Sequence, residues 1–398
     1  MKKIVILYIH ILCLISLIVG ACRGHFSTDK EKSDNNMPPI SPIATQESSS
    51  HQPRPYMGTV YYFVRGDSPS TSGVWRMNLA NRQKVQVHEG WFSGVDAELS
   101  LDGRWLAYMS GKTDEQGKSL ETLWLLNLTT GEVSQPTPYM PLVGWRWLPN
   151  GQLNYTLFPE YTQDELGLNP PDYGANIKNF YYDPVTNVRI EVPYSPPYLQ
   201  DPEGEVCDID PSPIDLTLVA RTCLSISGER DQYLEIIHLN DDRHIMIAAR
   251  FNGSSVWAPD GQALLFSNDD RAQSRELFIW ESPTGDTRQI THTTEAYSFF
   301  DLTWSLDEKW AAFHEQDGRV CFVDLATGEI NCVSGYRFPI GYKMSWSPDS
   351  RAFIIAAVKE GEPDPEGNDM YIISVPDGDV TRLTEDPSQF EYNPIWVR

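Results

Sequence analysis

The chain has 398 residues, 40% of them hydrophobic and 12% aromatic, and sets 31 Lys+Arg against 55 Asp+Glu for a formal net charge of −24. That apolar content suffices for a large core and excludes a wholly disordered chain. A pI near 4.6 argues against a nucleic-acid partner, whose phosphates need clustered Lys and Arg, and against electrostatic docking on anionic lipid.

The first element reads as an address. Met1-Lys2-Lys3 is basic, Ile4 to Val19 is apolar apart from His10 and Ser16, and Gly20-Ala21 are small. This is signal-peptide anatomy, too short for a comfortable membrane span. Val19-Gly20-Ala21-Cys22 resembles the bacterial lipobox. The resemblance implies that residues 1–21 are a lipoprotein signal peptide and that acylated Cys22 becomes the mature N-terminus. It also implies an envelope location, lipid-anchored to the outer face of the cytoplasmic membrane or to the outer membrane. The plainer alternative is an ordinary secretory signal with an incidental Cys. Residues 23–55 hold five Pro and six Ser and almost no large apolar residue, so 22–55 is expected to be a disordered tether.

From residue 56 short strands are expected in series: Thr59–Val64, Val74–Leu79 and Lys84–Val87 come first. A unit then begins to recur. Its copies are Leu99-Ser100-Leu101-Asp102-Gly103, Trp147-Leu148-Pro149-Asn150-Gly151, Ile209-Asp210-Pro211-Ser212-Pro213, Trp257-Ala258-Pro259-Asp260-Gly261, Trp304-Ser305-Leu306-Asp307-Glu308, Trp346-Ser347-Pro348-Asp349-Ser350 and the final Asn393-Pro394-Ile395-Trp396. The spacings are 48, 62, 48, 47, 42 and 50 residues. In each unit a strand ends in a buried Trp and Pro-Asp-Gly makes a tight turn. A second strand, a polar loop, a third strand and a turn such as Thr327-Gly328-Glu329 lead into a fourth. Four short strands at this period, without an amphipathic helix, predict an all-β fold: a seven-bladed β-propeller over residues 56–398, with six or eight blades as the alternatives. The terminal strand Tyr392–Val397 would pair with Thr59–Val64 and close the ring.

The Trp-Ser-Pro-Asp turn and Thr-Gly hairpin resemble the TolB-type propeller repeat, which also builds the propellers of prolyl-oligopeptidase relatives and some polysaccharide lyases. The likeness covers nearly all of the chain after residue 55 and implies the fold. It says little of function, because the matching residues are turn and core residues. The peptidases' Gly-x-Ser-x-Gly nucleophile elbow does not occur here.

After Cys22 four Cys remain, which allow three pairings. Cys207 and Cys223 flank Pro211-Ser212-Pro213, and Cys321 and Cys332 flank Ala326-Thr327-Gly328-Glu329. Each pair is placed to face across a hairpin as a disulfide. A metal site would want a CxxC spacing and nearby His, which are lacking.

Function would sit on the face carrying the longer loops, those joining second to third strands and blade to blade. The insertions at Phe158–Asn179 and Pro193–Glu205 carry the ligand-binding candidates Tyr161, Asp164, Asp172, Tyr173, Tyr198 and Asp201, an acidic and aromatic rim suited to a protein or glycan; a solvated insertion with no ligand is the alternative. Asp201, Glu203, Glu205, Asp208 and Asp210, or Asp364, Glu366 and Asp369, offer oxygen ligands to Ca²⁺ but follow no EF-hand spacing. The Trp series, fixed before a turn, reads as inter-blade core and not as a sugar platform. Asp96, Arg146 and Asp301 lie near the starts of first strands, where they would line the channel. No nucleophile, metal or phosphate motif appears, so no cofactor is expected. The reading is a membrane-anchored binding or scaffolding propeller. The alternatives are a hydrolase or polysaccharide lyase with its site at the channel mouth, and a structural subunit of an envelope complex.

Overall fold

The computed structural model describes residues 55–398 apart from 69, 91–96, 114–118, 138–141, 158–177, 193–204, 226–231, 250, 270–274, 283, 295–296, 340, 362–367 and 386–388. Cys22 and the tether therefore lie outside the described residues. Met57–Arg398 is one compact unit, and no helix occurs among its described residues.

The strands form seven antiparallel blades in a ring, each ordered from an inner to an outer strand. Blade I joins β29 (Phe390–Val397) to β1 (Thr59–Arg65), β2 (Gly73–Asn78) and β3 (Lys84–Glu89). Blade II runs from β4 (Ala97–Leu99) to β7 (Val133–Ser134), blade III from β8 (Leu142–Trp147) to β11 (Val188–Val192), and blade IV from β12 (Glu205–Pro211) to β15 (Arg243–Ala248). Blade V runs from β16 (Phe251–Trp257) to β19 (Thr287–Gln289) and blade VI from β20 (Phe300–Trp304) to β23 (Ile330–Val333). In blade VII two short pieces, β24 (Tyr336–Arg337) and β25 (Ser345–Trp346), share the inner position on β26 (Ala352–Lys359), and β28 (Val380–Arg382) is outermost. The expected closure is present: Thr59 faces Val397 and Val60 faces Trp396.

Local chemistry explains why these segments turn where they do. In the Ser-x-Asp turns the serine hydroxyl donates to the aspartate, at 2.7 Å for Ser100–Asp102 and Ser347–Asp349 and 2.8 Å for Ser305–Asp307. The serine N–H closes the turn on the residue five ahead, as from Ser305 to the Trp310 carbonyl at 2.8 Å. The residue after the Asp is left-handed: Gly261 has φ 67°, and Glu308 and Ser350 hold 60° and 58° without being glycine. The aspartate's bonds therefore offset a conformation that side chains disfavour.

Blade IV departs from the expected motif register. Ser212, not Asp210, takes the turn-closing role, its N–H bonding the Leu218 carbonyl at 2.8 Å. Pro211, not Ile209, thus stands where other blades have Trp, and the spacings on either side become 64 and 46 residues. The turn in this blade is one residue longer, so Asp210-Pro211 only imitates the Pro-Asp pair. The blade is complete, which removes the six-blade alternative.

Neighbouring blades share apolar layers. Leu123 and Leu125 of blade II pack with Trp147 and Tyr155 of blade III. Leu234 and Ile236 of blade IV meet Trp257 and Phe266 of blade V. Leu265 and Ile279 meet Trp304 and Phe313 across the next seam, and Phe322 meets Trp346 and Phe353 beyond it. The Trp residues at 147, 257, 304, 346 and 396 are all buried. Three of them also reach back: Trp147, Trp257 and Trp304 donate Nε1–H to the carbonyls of Glu98, Asp210 and Val256 at 3.0, 2.9 and 3.0 Å. A buried indole needs such a partner, and here the partner is the inner strand of the preceding blade. Disulfides join Cys207 to Cys223 and Cys321 to Cys332, each pair directly opposite in neighbouring strands.

Candidate functional site

Antiparallel alternation puts the Ser-x-Asp turns and the Thr-Gly turns on one face of the ring and the longer loops on the other. The inner strands meet the axis on their way between the two faces. Near its start the inner strand of several blades carries one extra residue, or two in blade V. The register slips between Leu142 and Gly144, between Phe251 and Ser255, between Phe300 and Thr303, and between Tyr392 and Ile395. A bulge re-aims the side chain it carries. Asp301 and Asn393, each three residues before the buried Trp of its blade, sit in these bulges with φ of 51° and 48°.

Both re-aimed side chains grip the same loop. Asp301 Oδ2 accepts the Gly341 N–H at 2.8 Å, and Asn393 Oδ1 accepts the Lys343 N–H at 2.9 Å. Lys343 Nζ then donates to the Ala97 carbonyl of blade II at 3.3 Å. Behind Asp301 lies His314, fully buried, with Nδ1 3.2 Å from Oδ2. Burial pulls the Asp301 carboxyl up, but His314, the Gly341 N–H and Lys343 together hold it below its ordinary value. Its side chain remains 38% exposed, so it can be reached from solvent while His314 cannot.

Toward the long-loop face each buried carboxylate is bound within the scaffold. Glu276 accepts from Thr291 Oγ1 at 2.5 Å and from the Thr293 N–H at 2.8 Å. Glu315 accepts the Ser298 N–H at 2.9 Å, and burial pushes its carboxyl up. Asp369 pairs with Arg382. Glu391 takes Thr384 and, at 3.3 Å, Lys84. On blade IV, Glu235 pairs with Arg221, and His244 Nδ1 approaches it at 3.2 Å. An aromatic cluster joins blades I, II and VII: Phe63 stacks on Tyr392 at 6.0 Å, Tyr342 lies 5.7 Å from Tyr392, and Phe63 meets Tyr108 edge-on at 5.9 Å. His88 adjoins it, its Nδ1 2.9 Å from the Tyr108 hydroxyl and its ring 4.5 Å from Trp124. Burial pushes the His88 imidazole down to about 4, so it is neutral at pH 7.

Of the residues expected at the channel, Asp301 is brought together with His314 and Lys343. Arg146 stands half-buried on β8 two residues nearer the turn face, and Asp96 lies outside the described residues. So do the rim candidates: Tyr161, Asp164, Asp172 and Tyr173 fall within 158–177, and Tyr198 and Asp201 within 193–204. Sequence reasoning passed over Lys343 and Asn393. Their common signal is position, three residues before a motif Trp, which becomes meaningful once bulges are known to sit there. Among the described residues, no three His, Cys, Asp or Glu side chains come together as a metal site. Asp369, one of the Ca²⁺ candidates, is committed to Arg382.

No family model matches the chain. A dipeptidyl-peptidase 5 of Porphyromonas gingivalis is 25% identical over 160 residues, a match spanning 36% of this chain and 22% of that relative's length. Among solved structures, the β-propeller domain of the trilobed protease from Pyrococcus furiosus superposes with a TM-score of 0.52 at 13% identity, covering 82% of this chain and 94% of that domain. An oligogalacturonate lyase in complex with manganese gives 0.51 at 15% identity, with 77% and 83% covered. TolB from Acinetobacter baumannii gives 0.47 at 16% identity, with 87% and 68% covered. These likenesses concern the fold, and the seven-bladed propeller implied by the TolB-type repeat is the fold observed.

Proposed function

We propose that the chain is a lipid-anchored extracytoplasmic propeller, held by Cys22 through the tether 22–55, whose long-loop face binds a protein or glycan partner. The observation that carries the binding role is the commitment of Glu235, Glu276, Glu315, Asp369 and Glu391 to partners within the scaffold. Carboxylates used this way hold loops and seams in place. A rigid ring with long loops on one face is suited to recognition. Photocrosslinking tests it: a photoreactive residue at Tyr173 or Tyr198 should capture an envelope component that one at Leu306, on the turn face, does not. Equal capture from both faces refutes the reading. For the anchor, Cys22→Ala should release the chain from the membrane fraction or block its maturation. Unchanged retention with no acyl mass on the N-terminal peptide refutes that part.

One observation favours a second reading, a hydrolase or polysaccharide lyase at the channel mouth. Asp301 is solvent-accessible and backed by buried His314, as an acid or base would be. Turnover of a peptide or polyuronate panel that disappears in Asp301→Asn would establish it in place of the binding role.

A further inference from the structure

The outer edges of the blades are unequal. A strand with a free edge is a template for another strand, and proteins blunt such edges by shortening or bulging them. The outer strands β7, β19, β23 and β28 have only two, three, four and three residues. The six-residue β3 and β15 are both bulged, between Val74 and Trp75 in the β2–β3 pairing and between Leu234 and Glu235 in the pairing that carries β15. The outer strand of blade III is different. β11 pairs with β10 (Lys178–Asp183) in unbroken register from Asp183–Val188 to Asn179–Val192, and it ends its sheet. Val188 and Ile190 are 50% and 54% exposed, and Val185 in the preceding turn is 68% exposed.

The residues on this edge are self-complementary. Val188-Arg189-Ile190-Glu191-Val192 reads as a charge palindrome about Ile190. We propose that β11 pairs antiparallel with β11 of a second copy of this chain, about a two-fold axis through Ile190, joining two blades III into one continuous sheet. Such an isologous contact sets Val188 opposite Val192, Ile190 opposite Ile190, and Arg189 opposite Glu191 twice over. Arg189 and Glu191 alternate with the apolar residues and so share one face of the sheet. Arg189 lies over the Phe180 ring at 5.0 Å, and Glu191, directly opposite Phe180 in the register, is 3.5 Å from Lys178 Nζ with its side chain 56% exposed. Any other register or a parallel alignment loses one or both Arg–Glu pairs, so the charge pattern selects a second copy over an arbitrary strand. One five-residue edge buries less than the roughly 1,200 Å² of a standard stable interface, so the dimer is concentration-dependent.

The test uses the full-length chain. Sedimentation velocity from low to high micromolar concentration should show a monomer–dimer equilibrium. Arg189→Glu should weaken it roughly tenfold by setting like charges opposite each other, and Arg189→Glu/Glu191→Arg should restore it. Ile190→Cys should crosslink on mild oxidation, because opposite residues lie about 4.5–5.5 Å apart, within disulfide reach. Met246→Cys, equally exposed on β15, serves as the control, and the parent chain gives the background from its own cysteines. A chain that stays monomeric throughout overturns the proposal. So does a dimer in which Ile190→Cys crosslinks no faster than Met246→Cys, or a charge swap that leaves the double variant as weak as the single one.

Discussion

Ring closure rests on nine residues at the end of the chain, and their removal is the sharpest test of the fold. Trp396 is buried at 5% exposure, donates Nε1–H to the Met57 carbonyl at 3.0 Å, and receives support at its own N–H from Ser345 Oγ at 2.9 Å. Replacing it by Ala removes a large buried ring, a loss of about 3–5 kcal/mol, and strands the Met57 carbonyl for about 1 kcal/mol more. Trp396→Phe keeps most of the ring and should cost about 1–2 kcal/mol, chiefly the indole bond. Deleting residues 390–398 takes away Tyr392 as well, about 1.5–3 kcal/mol for each aromatic side chain. It also frees the full edge of β1 and leaves Lys84 without Glu391. The total approaches the 5–15 kcal/mol that typically separates folded from unfolded states. The truncated chain should therefore aggregate or unfold at the lowest urea concentrations, while Trp396→Ala shifts the urea midpoint downward and Trp396→Phe shifts it less. Urea titration followed by far-ultraviolet circular dichroism gives all three. A truncation whose urea midpoint shows a loss of no more than about 1 kcal/mol would show the terminal strand to be an appendage and refute the closure argument.

Three further outcomes are expected. Cys321→Ser/Cys332→Ser opens a cross-link of sequence separation 11 and should cost roughly 2–3 kcal/mol, read from the urea midpoint under non-reducing conditions; an unchanged midpoint would refute it. Burial pulls the Asp349 carboxyl up, but Ser347 and Arg351 hold it below its ordinary value. Its contribution is therefore present above the unfolded value of about 3.9 and lost as pH falls through the lower folded value, so Asp349→Asn should be the less stable protein at pH 7, with the gap closing in acid. His88 is held neutral by burial, so the stability it confers is present above about 6.5 and declines as pH falls toward 4, where the unfolded chain has already taken up the proton. His88→Phe should flatten that part of the melting-temperature profile, and a slope identical to that of the parent would refute the assignment.

What was legible beforehand were the features set by neighbours in the chain. Ser-x-Asp turns, Thr-Gly hairpins and apolar strands recur every 42–50 residues in most units, and each records a local requirement for φ, a hydroxyl partner or an alternating face. Closure by the last strand was legible too, because Trp396 repeats the motif's buried Trp while the unit Thr59–Val87 lacks a first strand that such a segment supplies. The misplaced motif at Ile209 shows the limit of this kind of reading. Asp210-Pro211 has the composition of the turn but not its hydrogen bonds, which begin at Ser212. The channel mouth depended wholly on tertiary structure. Asp301, His314, Gly341, Lys343 and Asn393 belong to three blades and lie as far as 92 residues apart. They meet because bulges turn two inner-strand side chains toward one loop, and the cost of those left-handed residues is offset only by bonds that the neighbouring blades supply. The place of β11 was likewise settled by packing: the Val188–Val192 pattern is visible in the sequence, but only the ring makes this strand the outermost of its blade among the described residues, unbulged against its neighbour.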